Sequence, residues 1–210
     1  MIRESNTLIQ QKAISFNIHY AFLVLLLIFV SACDDEKKEH SELQQIQFLE
    51  KNIHFPVNYQ KCNFDQYAEI YDKIEQLDQH DIQLMSAING LQVMGAQFEL
   101  FYEKGNTSNL IWLVPGEYIP LDKSMVTVYA NMLDQQLAPQ LAESGIEYNR
   151  LEKKFISINQ TKAIKIKLEQ IYNGKSRFLT QYLISYKLKT FLLTVSNDKN
   201  IDYQFILRNF

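Results

Sequence analysis

Asn173-Gly174 lies between two runs of alternating residues, and this pair constrains the fold more than any other feature of the chain. A two-residue hairpin connection of type I′ needs left-handed backbone at both central positions, which Asn and Gly tolerate best. The flanking runs are then antiparallel neighbours. Upstream, in Ala163 to Tyr172, Ile164, Ile166 and Leu168 point one way, and Lys165, Lys167 and Glu169 the other. Arg177 to Tyr186 is the returning strand, Lys187-Leu188-Lys189 a tight connection, and Thr190 to Ser196 the next strand. Arg150 to Ile158 precedes them as a further strand. Asp198 starts a short closing helix whose Ile201, Phe205 and Phe210 face the sheet.

The first part of the domain mixes helices with strands. Ile53-His54-Phe55-Pro56-Val57 alternates as a strand does, and Pro56 confines it to a strand end or an edge. Asn63 to Leu77 reads as a helix, with Phe64, Tyr67, Tyr71, Ile74 and Leu77 on one stripe. Asn63 and Gln66 have the spacing of a capping box. Residues 81–90 fit helix or strand equally. Leu91 to Tyr102 reads as a strand, residues 104–109 as a turn, and Leu110 to Val114 as a central strand ended by Pro115-Gly116. Asp122 or Ser124 caps a second long helix with the stripe Met125, Val128, Tyr129, Met132, Leu133 and Leu137. Pro139 is expected to break or kink that helix, and Gly145 to stop the segment beyond the proline.

The N-terminus carries a different signal. Ala21 to Val30 is ten apolar residues, the length of a signal-peptide core. Even Tyr20 to Ala32 makes only about 20 Å of helix at 1.5 Å per residue, against a hydrocarbon thickness of roughly 30 Å. Val30-Ser31-Ala32-Cys33 resembles a bacterial lipobox. The resemblance implies cleavage after Ala32 and diacylation of Cys33, which anchors the chain to a membrane. Asp34 resembles the inner-membrane retention signal of enteric-type bacteria. The expected organisation is a signal peptide over 1–32, a lipidated cysteine and polar tether over 33–45, and a single α/β domain over 46–210. The expected location is the cell envelope, facing the periplasm in a Gram-negative cell.

Charge is distributed unevenly. Residues 150–210 hold twelve Lys/Arg against four Asp/Glu, whereas residues 33–149 hold seven against nineteen. Internal complementarity between the two halves of one domain, or an evenly solvated surface, accounts for such a split. The functional alternative is a basic strand face, Lys165, Lys167, Lys187 and Lys189, meeting an anionic or protein partner. A sequence pI near 5.8 and an envelope address argue against nucleic acid.

No catalytic signature stands out. There is no Gly-x-Ser-x-Gly elbow and no glycine-rich phosphate loop. Asp78-Gln79-His80-Asp81 looks like a polar loop, and its spacing matches no zinc pattern. His40 falls in the tether and His54 on a strand. Cys62, the remaining thiol once Cys33 is acylated, has no CxxC partner and reads as a small buried hydrophobe. Tyr102, Trp112, Tyr118 and Tyr129 cluster around the central strand and second long helix, as core or as a contact patch. No cofactor or metal is expected.

The C-terminal half resembles the PsbP-like family through three stretches. They are Asn173-Gly174-Lys175, Gln181-Tyr182-Leu183-Ile184, and Lys189-Thr190-Phe191-Leu192-Leu193-Thr194-Val195-Ser196. Phe205-Ile206-Leu207-Arg208-Asn209-Phe210 is similar to that family's closing helix, and Ile53-His54-Phe55-Pro56 to its opening strand. The resemblance implies an α+β fold, an antiparallel sheet flanked by helices in an α/β/α sandwich. It also implies a non-enzymatic, partner-binding habit. The expected function is a lipid-anchored envelope lipoprotein that binds or supports another envelope component, with Trp112, Tyr118 and the four lysines as candidate contacts. A ligand-binding lipoprotein with an apolar pocket between sheet and helix is the alternative, and a hydrolase the least favoured reading.

Overall fold

The computed structural model describes residues 41–210. The apolar segment, Ala32, Cys33, Asp34 and His40 lie outside the described residues. Strands β1 (Ser41–Ile46) and β2 (Lys51–Pro56) form a hairpin of their own. Ser41–Gln45, assigned from sequence to the expected tether, are paired with β2.

Seven further strands make one antiparallel sheet. They are β3 (Tyr59–Cys62), β4 (Glu99–Glu103), β5 (Asn106–Gly116), β6 (Glu147–Ile158), β7 (Thr161–Tyr172), β8 (Lys175–Tyr186) and β9 (Lys189–Asn197). Their order across the sheet is β3-β4-β5-β9-β8-β7-β6. The β7–β8 hairpin turns at Asn173-Gly174, with φ of +50° and +75°, as its sequence demands.

Alternation sends side chains from the central strands to both faces. One face packs Leu100, Leu110, Trp112, Ile164, Ile166 and Leu168 against three helices. These are α1 (Phe64–Tyr71), α2 (Gln79–Val93) and α3 (Met125–Glu143). The other face packs Ile111, Leu113, Tyr182, Ile184, Phe191 and Leu193 against the β1–β2 hairpin and the C-terminal segment. That segment ends in a 3₁₀ turn over Gln204–Asn209, with Ile206, Leu207 and Phe210 buried. The expected α+β architecture is present. Its second covering layer is a hairpin and 3₁₀ turns.

Four sequence expectations need correction. α1 ends at Tyr71 rather than Leu77, because Asp78 opens a second capping box with Asp81 and the chain must reverse before it. Residues 91–98 are not strand. α2 runs to Val93, and Gly95 (φ +65°) closes it with Gly95 N–H bonded to Gln92 O and Ala96 N–H to Leu91 O. That paired-bond glycine terminus is a strong helix stop. On α3 the buried residues are Val126, Ala130, Leu133 and Leu141, so Val128 is 70% exposed. Small Ala130 lets the helix lie close to the sheet. Pro139 does not end α3. It sits on the solvent side, where a missing N–H leaves a carbonyl to water.

Lys165 is 2% exposed on the hairpin face, contrary to the outward position that alternation suggests. It is ion-paired with Glu152 on β6 and, at 2.5 Å, with Asp202 in the C-terminal segment. Tyr182 Oη donates to Asp202 O at 3.1 Å, and Lys167 Nζ to Asn200 O at 3.0 Å. The buried ammonium thus fastens the C-terminal segment to the sheet. Burial acts to raise the Asp202 carboxyl, but the Lys165 hydrogen bond and charge outweigh it and hold the group below its usual value. A buried charge stripped of its partners is more harmful than an apolar replacement of the same shape. The double substitution Glu152→Gln, Asp202→Asn should therefore cost about 3–5 kcal/mol, and Lys165→Met clearly less. Urea midpoints of the three proteins check this; equal losses would show that Lys165 is not held as a buried cation.

Candidate functional site

The sheet has two edges, and they differ. β6, at one edge, carries Arg150, Glu152, Lys153 and Lys154 and shifts register between Arg150 and Glu152. Charge and a bulge are the usual means of blunting an edge. β3, at the other, is short, regular and paired only with β4 among the described residues.

A cleft opens where β3 ends. Asn63 leaves the strand to cap α1, its Oδ1 accepting from Gln66 N–H at 2.8 Å, while Gln66 Oε1 accepts from Asn63 N–H at 3.0 Å. This directs Phe64 away from the pairing line. Across from it, the glycine stop at Gly95 brings the chain back through Ala96, Gln97 and Phe98 into β4. The 3₁₀ turn over Gln47–Leu49 adds Gln47 and Phe48. The cleft is open to solvent and has a volume of about 500 Å³.

Its apolar lining is Phe48, Phe64, Phe98, Ala96 and Cys62, and its neutral polar lining is Gln47, Asn63, Gln92 and Gln97. Glu99 is the ionisable carboxylate in the wall. It accepts from Gln47 N–H and is paired with Lys61. Val93 and Met94, next to the lining residue Gln92, are 78% and 73% exposed. An exposed, flexible methionine such as Met94 suits an adaptable contact surface.

The residues singled out in the sequence are not gathered here, apart from Cys62. Lys165 and Lys167 hold the C-terminal segment, as described. Lys189 Nζ donates to Phe48 O at 2.7 Å, and Lys187 Nζ lies 5.1 Å from the Tyr186 ring centroid. The four lysines thus share one side of the sheet, with three donating to carboxylates or carbonyls. Trp112 is buried beneath the helices, Tyr118 is exposed beyond β5, and Tyr129 Oη donates to Gln181 at 3.2 Å. Tyr102 is half-buried against the same core. Trp112 and Tyr118 do not form one patch.

His80, Asp81 and Arg177 are tied into the frame. His80 is buried at the start of α2, its Nε2 3.3 Å from Lys175 O. Asp81 pairs with buried Arg177 at 3.4 Å, and Arg177 Nη1 donates to Ser108 O at 2.6 Å. The Asp-Gln-His-Asp run is thus a helix start docked on β8. Burial pushes the Cys62 thiol up to about 12, which leaves it protonated and unreactive. The cleft escaped sequence reading because Gln47, Cys62, Gln92 and Phe98 come from four separate segments. The one local signal was Gly95, a helix stop placed just before an aromatic.

No family model matches the chain, and no curated protein matches it. Among solved structures it is similar to cyanobacterial PsbP (CyanoP) from Synechocystis sp. PCC 6803. That match has a TM-score of 0.47 and 8% identity, over 80% of this chain and 86% of that one. It is also similar to PA94 of Pseudomonas aeruginosa, described as a protein of unknown function and putative regulator. There the TM-score is 0.32 and the identity 13%, over 76% of this chain and 84% of that one.

The surroundings of His80 and Cys62 give two measurable outcomes. Burial lowers the pKa of His80, so the folded state keeps it neutral while the unfolded chain protonates near pH 6.5. Its contribution is complete above about pH 6.5 and is lost as pH falls toward the depressed folded value. The denaturant midpoint should fall between pH 7 and pH 5, and His80→Gln should flatten that slope. In a Cys33→Ala background, Cys62 should react with an aromatic disulfide reagent at pH 8 at least about tenfold more slowly folded than unfolded.

Proposed function

We propose that this chain is a lipid-anchored lipoprotein of the cell envelope, held to a membrane through Cys33 after cleavage at Ala32. Its domain binds another envelope component through the cleft at the end of β3 and catalyses no reaction. The observation that carries this reading is the cleft itself. It is lined by three aromatic rings and by exposed Gln92 and Gln97, and it is placed at the unblunted sheet edge. The buried charged groups described above are occupied in holding the frame together: Lys165 with Glu152 and Asp202, and Arg177 with Asp81. The basic-row reading finds less support, since Lys165 is enclosed and Lys189 reaches the Phe48 carbonyl.

A second reading is a small-molecule binder. A space of about 500 Å³ falls within the range of sites that enclose such ligands.

The test is crosslinking in cells that express the tagged full chain, then affinity capture and mass spectrometry. Radiolabelled palmitate should enter the chain and be absent from Cys33→Ala. A stoichiometric envelope protein should be captured, and lost with Cys33→Ala and with Gln97→Arg, which places a charged side chain at the rim. Lys187→Glu with Lys189→Glu should leave capture intact. Loss of capture in that pair but not in Gln97→Arg would move the contact to the basic row.

A further inference from the structure

We infer that the cleft receives an extended, uncharged peptide segment of the partner, which continues the sheet along β3 and inserts apolar side chains between Phe48, Phe64 and Phe98. This rests on the cleft being the binding site.

Charge comes first. The chain holds 21 basic and 24 acidic residues, yet Glu99 is the only charged residue lining the cleft among the described residues, and it is neutralised from within by Lys61 and Gln47 N–H. A charged occupant would lose its hydration and find no free opposite charge in the described wall, which is costly. The lining therefore selects a neutral ligand.

The polar groups say which kind. A carboxamide both donates and accepts, as a peptide group does. Gln92 and Gln97 are exposed, and no side-chain partner among the described residues holds either in the fold. Asn63 is spent on capping α1. The glutamines are placed to bond main-chain amides beside an aromatic floor.

The edge supplies the remaining contacts. A free strand edge offers a row of main-chain donors and acceptors to an incoming strand. β6 is guarded by a bulge and by five charged side chains. β3 has neither bulge nor proline, and its one charged side chain is already engaged, Lys61 Nζ pairing with Glu99 and donating to Gln45 O at 2.9 Å. The edge next to the cleft is the one left open.

The experiment pans a random heptapeptide display library against the detergent-solubilised full chain and against Gln97→Arg, an exposed position where the fold is not at risk. Enriched peptides should be uncharged with apolar residues at alternate positions. They should bind Gln97→Arg about tenfold more weakly, close to 1.4 kcal/mol. A synthetic copy of the strongest one should slow amide hydrogen exchange across Gln60–Cys62. A charged consensus, no consensus, or unchanged exchange along β3 would overturn the inference. If Gln97→Arg abolishes capture in cells while the library yields no such motif, the cleft stands as the contact and the peptide inference falls. If Gln97→Arg leaves capture intact, the cleft itself is wrong, and the inference falls with it.

Discussion

The ladder that joins β5, β9, β8 and β7 carries apolar side chains on both faces, and the rest of the molecule answers to that. Trp112, Ile164 and Ile166 face one way, and Leu113, Tyr182 and Leu193 the other. Burying each such side chain is worth roughly 1.5–3 kcal/mol, so neither face can be left to water. Three helices cover the first. The second is covered by segments from opposite ends of the described chain, the β1–β2 hairpin and residues 198–210. The sheet is thus the common floor on which both ends meet. Lys51 Nζ donates to Asn209 O, and the side-chain amide of Asn209 meets the His54 backbone. Lys165 stands at the margin of this second layer, which is why its charge must be paired rather than solvated.

The parts legible in sequence were those set by short-range chemistry. Asn173-Gly174 fixed a turn, its neighbours fixed a hairpin, and Asn63 with Gln66 fixed a helix start. The stretch from Leu91 to Phe98, ahead of the strand at Glu99, was not legible. Its apolar residues fit both periods, and the deciding signal was a single glycine whose left-handed backbone ends a helix instead of bending a strand. The stripe on α3 was legible in part. Of the expected stripe, Met125, Tyr129, Leu133 and Leu137 do pack on the core, whereas Val128 and Met132 are exposed and Val126 and Ala130 take the buried positions.

Charge shows the same limit from another side. The split between an acidic first part and a basic last part was visible, and so was the idea that the two neutralise each other. The structure supplies the pairs: Arg150 with Asp134, Arg177 with Asp81, and Lys199 with Glu103. Each joins a residue of the basic last third to one of the acidic remainder. Basic side chains that look like a surface feature in sequence can thus be internal fasteners, and Lys165 is the fullest case, with 2% of its surface exposed.

The cleft could not be read locally because it forms where elements part rather than where they join. β3 is four residues long, and α1 begins two residues after it. That brevity opens a gap beside β4 which α2, ending on its glycine, does not fill. A longer β3 would close the gap by pairing Asn63 with Glu99 and Phe64 with Phe98. The capping box at Asn63 prevents this, since the residue cannot both cap a helix and continue a strand. The same local choice that starts α1 therefore shortens the edge strand and leaves Phe64 and Phe98, half-buried against the helix-side core, in the wall of the cleft.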